Sequence, residues 1–141
     1  MADSEVHGLE TTIQKTNEWI NEIQEEVGYM DKEEAYLALS STLHALRDRL
    51  MPEEAVDLGA QLPMIIRGLY YEGYTLSGKP LRIRSKDDFL ALVGRELRRN
   101  PEIDPEEAAE GVFAVLDKKI SRGEIKDIKS QLPRDIKELW H

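Results

Sequence analysis

Gln61-Leu62-Pro63 returns 70 residues further on as Gln131-Leu132-Pro133. Laid on residues 86–141 at that shift, residues 16–71 need no gap. Trp19 falls on Phe89, Ile20 on Leu90, Ile23 on Val93 and Val27 on Leu97. Leu43 falls on Phe113, Leu46 on Leu116, Leu50 on Ile120, Leu58 on Ile128, Ile66 on Ile136 and Leu69 on Leu139. Only 10 of the 56 aligned positions are identical, so identity decides little. The apolar register decides more, because it holds across three loops. The chain reads as one helical unit written twice: repeat one at 16–71, a connector at 73–85 and repeat two at 86–141, together one all-α domain over 1–141.

Working outward, apolar residues recur at steps of three and four nearly everywhere, which is helical spacing. Val6, Leu9, Ile13, Ile20, Ile23 and Val27 predict one long helix over 5–28 with a single apolar stripe, stopped by Gly28; the N-terminal part of that stripe needs a partner, either the second repeat or another chain. Asp31 with Glu34 predicts a capping box and a helix bearing Ala35, Leu39, Leu43, Leu46 and Leu50. Pro52 suits a first helical turn, and Pro63 interrupts the helix it opens. Ser85 with Asp88, Asp104 with Glu107, and Ser121 with Glu124 predict further helix starts. Between the repeats, Gly73, Gly78 and Pro80 mark a connector in which Leu81 and Ile83 suggest a few extended residues. About three to four helices per repeat are expected, related by an approximate two-fold and packed into one core.

Composition narrows the function. The net charge of −9 repels phosphate, so neither nucleic acid nor an anionic membrane is an expected partner. Residues 1–72 carry 5 basic and 15 acidic side chains, whereas 73–86 carry Lys79, Arg82, Arg84 and Lys86 and no acid. No cysteine is present, which removes disulfides, thiolate metal sites and a cysteine nucleophile. The acidic start of the chain has no leader-like apolar run, and a cytoplasmic protein is expected.

The stretch His44-Ala45-Leu46-Arg47-Asp48-Arg49-Leu50, on through Glu54-Ala55 to Gln61-Leu62-Pro63-Met64-Ile65-Ile66-Arg67-Gly68-Leu69-Tyr70-Tyr71-Glu72-Gly73, resembles bacterial proteins of a domain-of-unknown-function family, DUF2267. Residues 12–19, Ser77-Gly78-Lys79-Pro80 and Asp88-Phe89-Leu90 fit the same pattern. The chain departs from it near Tyr29 and at Tyr74, where the resemblance leads one to expect tryptophan. The resemblance implies a duplicated helical fold in a bacterial cytoplasm and brings no activity, cofactor or catalytic residue with it.

The residues themselves offer one candidate interaction patch: Arg67, Tyr70, Tyr71, Tyr74, Lys79, Arg82 and Arg84. Tyrosine favours interfaces, and arginine matches carboxylate or phosphate. The plainer reading pairs these cations with the chain's own acids and closes the core with the tyrosines. His44 reads as structural, since no nucleophile or metal set accompanies it. Glu138 and His141 have di-iron spacing, but such a site needs a second motif, so no metal and no cofactor are expected. The acid pairs Glu33-Glu34, Glu53-Glu54 and Glu106-Glu107 read as first-turn acids favouring the helix dipole. The expected function is a non-enzymatic protein-interaction or self-assembly module with an unidentified partner or a second copy as a homodimer. The alternative is a binder of a small anionic ligand or metabolite at the seam between the repeats.

Overall fold

The structure, a computed structural model, describes residues 6–141. Eight helices and no strand occur among them: α1 (His7–Val27), α2 (Lys32–Arg49), α3 (Pro52–Ala60), α4 (Met64–Tyr71), α5 (Lys86–Leu97), α6 (Pro105–Lys119), α7 (Arg122–Gln131) and α8 (Arg134–Lys137). The all-α class is thus observed. Several helix bounds recur at the 70-residue shift: Val27 and Leu97, Arg49 and Lys119, Pro52 and Arg122, Met64 and Arg134. The extended residues expected near Leu81 and Ile83 form no strand; the Leu81 N–H donates to the Asp48 carbonyl (2.8 Å) and Arg49 Nε to that of Ile83 (2.7 Å), tying the connector to the end of α2.

Local chemistry explains the starts and stops. Asp31 accepts from the Glu34 N–H while the Glu34 side chain accepts from the Asp31 N–H, a complete capping box. Ser85, Asp104 and Ser121 each accept from the backbone three residues on. Pro52 and Pro105 occupy first turns. Gly28 ends α1 at φ 92°, a conformation that disfavours a side chain.

Helices α2 and α6 lie against each other at the centre. Helix α1 packs on α6 and α5 on α2, so the first helix of each half covers the second helix of the other. The same shift exchanges these two contacts. One continuous core results, holding Leu39, Leu43, Leu46, Phe89, Phe113 and Leu116 fully buried. Surrounded by neighbours, α2 buries far more than the expected stripe: Ala38, Ser41, Thr42 and Ala45 are inside as well. Trp140 stacks on Phe113 with 4.2 Å between ring centroids and donates Nε1 to Asp117, which holds the end of the described chain to α6.

The single stripe expected for α1 is corrected. Its buried face is Thr12, Thr16, Trp19 and Ile23. Thr16 satisfies its hydroxyl on the Thr12 carbonyl (2.7 Å), and Thr12 accepts from the Ile65 N–H at the start of α4 (3.1 Å). With the threonines taking the inner face, Val6, Leu9 and Ile13 are turned to solvent.

Two predictions follow from the packing. At Gly111 on α6, an added Cβ would stand 2.6 Å from Val27 Cγ2 on α1, and valine has little rotamer freedom to yield. Gly111→Ala should cost about 1–3 kcal/mol in denaturant unfolding. His44 sets Nδ1 2.9 Å from Glu96 on α5 and Nε2 2.7 Å from the Leu69 carbonyl on α4. Burial works against its charge, but the Glu96 and Leu69 acceptors outweigh it and raise the imidazole pKa above its ordinary 6.5. The folded state therefore holds this proton more tightly than the unfolded chain, and the gain is full below pH 6.5 and lost as pH climbs through the raised value. The melting-temperature gap between wild type and His44→Gln should be wide at pH 5.5 and narrow at pH 9, as read by circular dichroism.

Candidate functional site

The patch expected from sequence is only partly a surface. Tyr70 is fully buried and its hydroxyl donates to the Ala55 carbonyl at 2.6 Å; burial raises its pKa far above the ordinary phenol range. Tyr71 packs edge-on against Tyr70 and lies over Gly59, where a side chain would collide with its ring. Arg67 is exposed, yet Nε donates to the Gly59 carbonyl and Nη2 to those of Ala60 and Leu62, satisfying the open end of α3. Lys79 stands 5.9 Å from the Tyr74 ring centre. Arg82 and Arg84 remain exposed on the connector. Tyr70, Tyr71 and Arg67 thus close one end of the fold, and among the described residues no salt bridge to an acid holds Arg67, Lys79, Arg82 or Arg84.

The residue that organises this end is one the sequence reading passed over. Arg47 is buried on α2 and donates Nη1 to the carbonyls of Tyr70 and Glu72, both at 2.7 Å. Its Nε pairs with Asp48 at 2.9 Å, and its guanidinium lies 5.3 Å from the Tyr74 ring centre. A cation at the C-terminal end of α4 meets the negative pole of that helix. The available signal was its spacing: Arg47 sits four residues after Leu43, on a face otherwise apolar.

Where α3 meets α7, the two halves are cross-braced. Gln61 Oε1 accepts from the Ser121 N–H (2.9 Å) and Gln61 Nε2 donates to Ser121 Oγ (3.0 Å). In return Gln131 Oε1 accepts from the Met51 N–H at 2.9 Å. Met51 and Ser121 are the N-caps of α3 and α7, so each half's glutamine closes the other half's helix. In a capping box that task belongs to the glutamate three residues on. Glu54 and Glu124, relieved of it, turn inward. Both are more than nine-tenths buried, with Asp57 beside them, and carboxylate oxygens of all three lie within 4.8 Å of one another. Gln131 Nε2 reaches Glu54 Oε1 at 3.3 Å, while Oε2 of Glu54 and Oε2 of Glu124 are buried without a partner. Burial, and then the neighbouring Glu54 carboxyl, push Glu124 up to about 8.

The sequence expectation for Glu53-Glu54 as first-turn acids holds by position, but Glu54 points into the seam. Of the di-iron-spaced pair, His141 Nε2 contacts Glu110 at 2.7 Å. Among the described residues no helix is long and apolar enough to cross a membrane.

These features define an all-helical protein with one shared core and an acidic seam between its halves. The chain belongs to the DUF2267 family: the profile of that family, described as an uncharacterized conserved protein, matches residues 16–139. No curated protein matches the chain. The resemblance drawn from residues 44–73 therefore stands. Near the first place where it suggested tryptophan, the Tyr29 hydroxyl accepts from the Asp104 N–H at 3.3 Å.

The cross-bracing yields its own test. Gln131→Ala strips the Met51 N–H and Glu54 of their partner and should cost about 1–2 kcal/mol, comparable with loss of a helix cap. Gln61→Ala should act alike, and urea unfolding of both variants and of the double variant measures it.

Proposed function

We propose that the protein is a non-enzymatic binding module that docks an amphipathic helix of another protein along α1. One observation carries this reading: Val6, Leu9 and Ile13 are exposed by 61%, 52% and 52% on one side of a helix whose other side is already packed. An apolar strip of that kind at helical spacing is how helix-in-groove recognition is built. Met64 and Ile65 are exposed at the start of α4, beside Thr12, and extend the apolar area.

Charge favours a foreign partner over a second copy. Between His7 and Val27 the helix carries five glutamates against Lys15 alone; Glu22 and Glu26 pair with Lys119 and Lys118, which leaves Glu10, Glu18 and Glu25 outside any ion pair among the described residues. Two such helices repel each other, whereas a helix with lysine or arginine flanking its apolar stripe is attracted. The family profile begins at residue 16, so Val6, Leu9 and Ile13 lie outside the shared region. On this reading the strip is a property of this chain.

The test is a pull-down from lysate with wild type and with Leu9→Asp/Ile13→Asp, alongside sedimentation velocity of each. The expected outcome is a monomer that retains a partner at low salt, loses it at high salt, and loses it entirely in the double variant with its helical signal intact. Retention unaffected by the double variant would contradict the proposal. So would a wild-type dimer that the double variant breaks.

A further inference from the structure

We propose that Glu54, Asp57 and Glu124 form a binding site for a hard divalent cation of calcium's size, set on the seam between the two halves. Two observations point there independently. The first is the convergence of three carboxylates from α3 and α7, with oxygens within 4.8 Å of one another. The second is the state of the two inner glutamates: each has an Oε2 cut off from solvent with no hydrogen-bond donor, in side chains more than nine-tenths buried. Buried carboxylate oxygens without a partner are costly, and a cation satisfies them directly.

Hydration and donor type choose the class of ion. Oxygens within 4.8 Å of one another can share one ion. Magnesium dehydrates reluctantly and keeps several waters, whereas calcium accepts a shell of carboxylates, so two glutamates cut off from solvent suit calcium. All the donors are carboxylate oxygens, which suit hard ions and not zinc or copper. Asp57 is exposed and gives the ion its way in from solvent.

A shared proton between Glu54 and Glu124 is the competing arrangement. It joins the two glutamates but leaves Asp57 without a part, although an oxygen of Asp57 also lies within 4.8 Å of both. A cation engages all three. It also crosslinks α3 to α7, so its binding adds to the stability of the folded chain.

The experiment uses the full chain freed of metal with EDTA and then exchanged into chelator-free buffer at pH 7.5. Calcium chloride, magnesium chloride and manganese chloride are titrated by calorimetry, and melting temperature is read at each concentration. Calcium is expected to bind at one site and raise the melting temperature, with magnesium at least tenfold weaker. Glu124→Gln keeps the size and buries no charge, and should weaken calcium at least tenfold. Asp57→Asn, at the exposed rim, should weaken it as well. The proposal is overturned if wild type shows neither heat nor a melting shift with millimolar calcium. It is equally overturned if magnesium binds as well as calcium, or if both variants bind calcium as wild type does. A Glu124→Gln protein that melts above a calcium-insensitive wild type would assign the seam to a shared proton instead.

Discussion

At the start of α3 the Met51 N–H has no acceptor in its own helix, and at the start of α7 the Ser121 N–H is in the same position. Each finds the side-chain oxygen of a glutamine from the other half, Gln131 and Gln61 respectively. Neither helix start is satisfied unless the other half is in place. The consequence reaches the interior: Glu54 and Glu124, free of capping, converge at the seam and give it the character of a site. Two glutamines thus decide where two buried glutamates lie.

The same reciprocity governs the core. Helix α1 shields α6 while α5 shields α2, and α2 and α6 meet at the centre. Taken alone, either half would leave a flank of its central helix bare. Around this frame the remaining polar groups act as fastenings. Arg47 holds the end of α4, Arg67 the end of α3, and His44 joins α2 to α4 and α5. The Thr-lined inner face of α1 lets the helix pack while keeping an apolar strip outside.

Much of this was legible in the residues. The helix starts at Asp31, Ser85, Asp104 and Ser121 obey short-range capping rules, which need only three or four neighbours. The apolar register located the interior, because burial follows side-chain chemistry wherever both faces of a helix differ. It failed at α1, where Thr12 and Thr16 go inward by satisfying their hydroxyls locally and so behave as small core residues. It failed again at Arg47, whose burial depends on carbonyls 23 and 25 residues away. Glu54 and Glu124 were hidden for a related reason: position three of a helix normally keeps its glutamate for the cap, and only the distant glutamines release it. The tyrosine-and-arginine cluster was found as a cluster, but its hydrogen bonds run inward.

The central claim is that neither half is a separate folding unit, and native-state hydrogen exchange addresses it most directly. Slow amides in the middle of α2 and of α6 should exchange with the same free energy of opening, equal to that of global unfolding, and should respond alike to denaturant. An α6 that opens well below the free energy of α2, or the reverse, would contradict it.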